Sequence, residues 1–226
     1  GYELAVIVQD GMRRMYGEGE DVFYYLTVMN EKYEQPAMPE GAAPGILRGM
    51  YRVREAKAPG KAPRLQMLGA GAILREVLAA ADLLEQDFGV HADVWSVTSF
   101  SELRRDGLAA ARWNRLHPDE DRKRSYVERC LAQQPVPVLA SSDYMTLVAD
   151  QIRPFVPGAY SVLGTDGFGR SDTRRKLRQF FEVDRYSTCV AALAALAEQG
   201  QIDRSHVAAA LRKYGVDPEK IDPLSV

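Results

Sequence analysis

Val162-Leu163-Gly164-Thr165-Asp166-Gly167-Phe168-Gly169-Arg170-Ser171-Asp172 passes from an apolar, β-branched run that begins at Tyr160, through a glycine-rich turn, into a helix that Ser171 or Asp172 is placed to cap. Glycine accepts positive φ and close backbone approach. Asp and Ser side chains satisfy orphan N–H groups at a helix start. A polar turn at the carboxyl end of a strand is where open α/β sheets meet ligands and partners. Residue chemistry alone leaves a structural turn and a functional turn both open.

The same passage from strand to helix recurs upstream. Short apolar runs at 49–55, 64–68, 90–97, 136–140 and 159–163 predict strands, and amphipathic stretches at 72–88, 102–116, 119–132, 143–153 and 172–180 predict helices. Ser101 or Thr98 is placed to cap the helix at 102. Two Ala-rich helices follow at 186–199 and 203–214, stopped by Gly200 and Gly215, with Asp203 capping the second. Strands alternating with helices of crossover length predict a three-layer α/β domain over 48–226, its mostly parallel sheet covered on both faces. Val94, Val97, Val138 and Leu139 are expected in its central strands.

The first 47 residues follow a different plan. Leu4, Ile7, Val8, Gly11, Met12 and Met15 fall at helical spacing, predicting a helix over 3–16. Val22 to Met29 is β-branched and aromatic throughout, as in a strand buried on both faces of a parallel sheet. One helix and one strand cannot build a sheet, so this segment is expected to be the cut end of another domain. Residues 30–47, with Pro36, Pro39, Pro44, Gly41 and Gly45, are expected to be a long irregular linker.

Charge excludes little except a strongly polyanionic partner. The 29 basic and 31 acidic residues leave a net charge of -2, which gives no case for nucleic acid or an anionic membrane. The basic clusters at 122–124 and 174–176 read as solvated helix faces. No apolar run reaches the ~18 to 20 residues that span a bilayer. Two cysteines, Cys130 and Cys189, make no disulfide framework, and a reducing cytoplasm is expected.

Several candidate sites have ordinary explanations. Gly69-Ala70-Gly71 lacks the third glycine of a dinucleotide fingerprint, because Leu74 stands there, and reads as a tight turn. His91, His117 and His206 are isolated, so no metal site is expected. Ser141-Ser142-Asp143 reads as a strand end and helix cap. Trp95 is expected in the core, Trp113 against the sheet, and Asn114 and Arg115 in solvent. Asn30-Glu31-Lys32-Tyr33-Glu34-Gln35-Pro36 directly follows an apolar run and sets carboxylates, amides and a phenol on irregular backbone. It is either a solvated linker or a loop that carries chemistry.

Taken together, these strings resemble the transketolase-like thiamine-diphosphate enzymes, specifically the homodimeric pyruvate dehydrogenase type. Tyr2 to Met15 and Tyr24 to Glu31 look like the end of its middle, pyrimidine-binding domain. Pro36 to Gly41, Asp93 to Phe100, Arg112-Trp113-Asn114 with Leu116-His117-Pro118, the Gly164 to Asp172 turn with Arg174, and Phe180 to Asp184 look like the linker and the carboxy-terminal domain. The resemblance implies a boundary near 47, with 1–47 closing the middle domain and 48–226 forming a transketolase-like carboxy-terminal domain.

The resemblance further implies an enzyme that uses thiamine diphosphate and Mg²⁺ to decarboxylate pyruvate and then reductively acetylates the lipoyl group of a partner acyltransferase. Its partners are the remaining domains of the same enzyme, a homodimer partner and that acyltransferase. The family's Gly-Asp-Gly…Asn metal-and-diphosphate motif does not occur here, and its catalytic glutamate lies upstream of residue 1. The chain is therefore expected to be a fragment, inactive alone, holding no catalytic residue and no metal ligand. Asn30, Glu31, Tyr33, Glu34 and Gln35 resemble a substrate-side loop, although Glu34 stands where some members carry His. Asp166, Gly167, Phe168, Gly169, Arg170 and Asp172 are expected to form a structural interface turn. The alternatives are a transketolase-type fragment, or a non-catalytic assembly or regulatory module.

Overall fold

A computed structural model describes residues 1–29, 32–57, 60–134 and 136–226. Five strands form one sheet: β1 (Met50–Arg54), β2 (Arg64–Ala70), β3 (His91–Val97), β4 (Val138–Ser141) and β5 (Tyr160–Leu163). Their order is β1-β3-β2-β4-β5; β1 runs antiparallel to β3 and every other pair is parallel. Val94, Val97, Val138 and Leu139 are all buried in β3 and β4.

Helices cover both faces, which gives the expected three layers. On one face α3 (Leu74–Phe88), α8 (Arg185–Glu198) and α9 (Ser205–Tyr214) bury Val77, Leu84, Leu193 and Ala210 against Leu65, Met67 and Leu139. On the other, α4 (Phe100–Leu116), α5 (Tyr126–Leu131) and α6 (Thr146–Asp150) bury Leu103, Val127, Leu131 and Ala149 against Leu68, Val138 and Ala140. Trp95 is buried on this second face. Its indole N–H donates to Gln66 Oε1 at 3.0 Å, and the Gln66 amide donates to Leu131 O at 2.9 Å, so the buried polar atoms are paired.

The amino-terminal helix α1 (Tyr2–Met12) continues as a π-helical turn over Arg13–Gly17. With α2 (Ala43–Arg48), which interrupts the linker expected to be irregular, it covers β1. Glu3 fastens it there by accepting from Tyr51 OH at 2.8 Å and from Ser96 Oγ at 2.6 Å, while the Tyr2 and Tyr51 hydroxyls share a 2.6 Å bond.

Several elements differ from expectation. Val22 to Met29 forms no strand, and Phe23, Tyr25 and Val28 are exposed. A strand exists by pairing, and among the described residues none pairs with this segment. The helix expected at 119–132 shrinks to α5, because Ser125 caps it by accepting from Glu128 N, and the Asn114 side chain holds both the N–H and C=O of Lys123 in a turn before it. Asn114 thus braces a loop instead of facing solvent. The basic residues 122–124 lie outside any helix. Trp113 stacks on His117 at 3.6 Å with the Lys123 ammonium on its ring, away from the sheet. The helix expected at 143–153 is only α6, followed by a 3-10 turn at Arg153–Phe155. The cap of α4 is Ser99, one residue from Thr98 and two from Ser101, and the cap of α7 (Arg174–Phe180) is Thr173, one residue from Asp172 and two from Ser171.

Candidate functional site

From β2 the chain crosses to β3 on one side, and β4 then returns to the other side of β2. A crevice therefore opens at the carboxyl ends of β2 and β4, the place where open α/β sheets put ligands. A cavity of about 290 Å³ lies there. Its wall takes Ile73 from the turn before α3, Asp143 from the β4–α6 turn, and Thr165, Gly167, Gly169 and Arg170 from the β5–α7 turn.

The β5–α7 turn is fastened on two sides. Thr165 N donates to Tyr144 O at 2.9 Å, and its hydroxyl donates to Asp143 O at 2.7 Å. A Cβ on Gly164 would lie 2.6 Å from both Thr146 N and Tyr144 O, so only glycine allows this approach. Both Asp166 oxygens accept from Thr146 N, at 3.2 and 3.1 Å, at the start of α6. Asp166 therefore caps the preceding helix across the sheet edge, in place of the Ser141-Ser142-Asp143 run that is expected to supply the cap. Gly167 adopts φ +101° with the carboxy-terminal tail against it, the Pro223 carbonyl lying 2.3 Å from where a Cβ would stand. Arg170 lies over the Phe180 ring at 4.4 Å, Asp172 accepts from Thr173 N, and Phe168 is exposed.

A buried ionic cluster sets the position of α7. Glu76, in the first turn of α3, accepts from Arg185 N at 3.1 Å, from Arg185 Nε at 2.9 Å and from Arg178 at 3.3 Å. Burial raises its carboxyl pKa, but the Arg185 hydrogen bonds and charge, together with Arg178, outweigh that and leave it below the usual carboxylate value. At the rim of the cavity, burial pushes the Asp143 carboxyl up. Both cysteines are raised by burial, Cys189 to about 12, which leaves neither suited to act as a thiolate nucleophile.

The chain on either side of residues 30 and 31 approaches the same crevice. Asn30 and Glu31 lie outside the described residues. Met29 lines the cavity, and the Thr27 and Tyr144 hydroxyls share a 2.6 Å bond. Tyr33 is half-buried, with the Arg75 guanidinium 4.9 Å from its ring centroid. Glu34 and Gln35 are exposed. Two segments separated by more than a hundred residues thus meet at one crevice. Sequence reasoning missed Arg75, Glu76 and Tyr144, which carry no local pattern; only a fold that brings α3 and the β4–α6 turn together gives them a role. Among the described residues no cluster of three or more His, Cys, Asp or Glu side chains could hold a metal, and no helix is long and apolar enough to cross a membrane.

The model of the transketolase-like carboxy-terminal domain family matches residues 49–184, more than half of the chain. The model of the pyruvate dehydrogenase E1 component middle domain matches residues 1–36. Pyruvate dehydrogenase E1 components are similar over nearly the whole chain: 61% identity for Pseudomonas aeruginosa over 99% of this chain, 58% for Cupriavidus necator over 100%, and 50% for Escherichia coli over 98%. The chain spans about a quarter of the length of these relatives, 25% in each case.

Proposed function

Because this chain belongs to the transketolase-like carboxy-terminal domain family, we propose that it is the carboxy-terminal part of a homodimeric, cytoplasmic pyruvate dehydrogenase component that depends on thiamine diphosphate and Mg²⁺. Residues 1–47 close the middle, pyrimidine-binding domain, and 48–226 form the carboxy-terminal domain. Pyruvate loses CO₂, and the remaining two-carbon unit is oxidised to acetyl as the lipoyl disulfide of a partner acyltransferase is reduced. Acetyl ends on one sulfur and a thiol on the other. The observation that carries this reading is the continuous likeness to pyruvate dehydrogenase E1 components from one end of the chain to the other. The transketolase alternative has no observation of that kind behind it.

The residues of this chain do not fit a metal–diphosphate site. Both Asp166 oxygens are turned to Thr146 N, and the tail closes over Gly167. The chain's own contribution is structural: its sheet carries the Asp166 turn and the anchors of the 30–35 loop. The full-length polypeptide, supplied with cofactor and a lipoyl domain, should consume pyruvate and acetylate that domain, as mass spectrometry of the lipoyl domain would show. Residues 1–226 alone should neither release CO₂ from pyruvate nor bind thiamine diphosphate in calorimetry. Full-length protein that transfers ketol groups between sugars and leaves pyruvate untouched would overturn the assignment.

A further inference from the structure

Among residues 32–38 only Tyr33 is not exposed, and the Arg75 guanidinium lies over its ring. At 4.9 Å from the centroid, a guanidinium is attracted to the negative face of the ring. Arg75 stands in the first turn of α3, where the helix dipole disfavours a positive charge, so local helix chemistry gives no reason for a cation there. The post is firm: the next residue, Glu76, is buried and held by Arg185 and Arg178. On the other side of residues 30 and 31, Thr27 is bonded to Tyr144 and Met29 lines the cavity. Both flanks of the Asn-Glu pair are thus fastened to the carboxy-terminal sheet domain.

On the pyruvate dehydrogenase reading proposed above, and with the stretch that carries Tyr33 facing substrate as the resemblance implies, we infer that Arg75 is a positioning residue: through the Tyr33 ring it fixes that stretch, and so sets the affinity for a pyruvate it does not touch. The carboxy-terminal domain then tunes substrate binding from behind the loop.

Two measurements test this. In the 226-residue chain, Arg75→Ala should speed hydrogen–deuterium exchange of the peptide covering 32–38 by about fivefold, the size of an exposed cation–π contact, with melting unchanged. Arg75→Lys, which keeps the cation, should restore most of the protection. In the full-length holoenzyme, Arg75→Ala should raise the KM for pyruvate by about fivefold and leave kcat within about twofold. The double variant Arg75→Ala/Tyr33→Leu should be no worse than either single one, because both remove the same contact. Exchange that is unchanged in Arg75→Ala, or losses that multiply in the double variant, would overturn the inference. A full-length protein inert toward pyruvate would instead overturn the proposed function, while the exchange measurement would still decide whether Arg75 anchors the loop.

Discussion

Glu76 stays ionised inside the protein because two guanidiniums and a backbone N–H converge on it. Glu76→Gln keeps the shape and removes the charge, leaving Arg178 and Arg185 without their shared carboxylate. Arg185 is 44% exposed and recovers some hydration, so the expected loss is about 2 kcal/mol, below that of a fully buried pair. Because the folded-state pKa of Glu76 is depressed, its contribution is fully present above its ordinary value of 4.5 and is lost as pH falls through the lowered one. Urea unfolding should therefore show the gap between wild type and variant closing below about pH 4. Gly167→Ala should cost about 2 to 3 kcal/mol, since φ +101° and the Pro223 carbonyl both oppose a side chain, and thermal melting would show it. The sequence revealed that Asp166 would accept N–H bonds but not which ones. Capping patterns are local, and the group it caps lies 20 residues upstream across a sheet edge.

Elements buried on the sheet were legible in their residues, and those whose limits depend on distant contacts were not. Periodicity placed α3, α4, α8 and α9 within a few residues, because each buries a continuous apolar face. The strand expected at 22–29 has the right composition and no strand beside it, so composition alone misleads there. The start of α6 depends on Asp166, which supplies the acceptor that Met145, its own N-cap residue, cannot. Asp166→Ala should therefore lower stability by about 1 kcal/mol, the usual worth of a cap. In the assembled full-length enzyme, single-turnover decarboxylation by this variant should stay near wild type while melting falls. Loss of the chemical step with melting unchanged would mean the turn acts on the substrate.

At the scale of the whole molecule, most apolar residues of 12–29 remain exposed among the described residues. Met12, Tyr16, Phe23, Tyr25 and Val28 all face outward. An exposed run of this kind marks a surface that belongs against other protein. Light scattering of the 226-residue chain should show association that rises with concentration and falls when Phe23 and Val28 are both replaced by Asp. The sheet order was not legible, since the crossing of β4 back over β2 leaves no mark in local periodicity; nor was the antiparallel entry of β1.

Glu3 bears on how this chain can be dissected. The two domain models leave residues 37–48 between them unmatched, which invites a cut there to obtain a minimal carboxy-terminal domain. The carboxylate of Glu3 ignores that seam, because it is bolted to Tyr51 and Ser96 on the far side. A shortened gene starting at residue 48 would lay bare the outer side of β1 and strand two hydroxyls without their acceptor. The unit that inherits as a domain and the unit that holds together under load are therefore different pieces of chain, and the second one reaches back at least as far as the first helix.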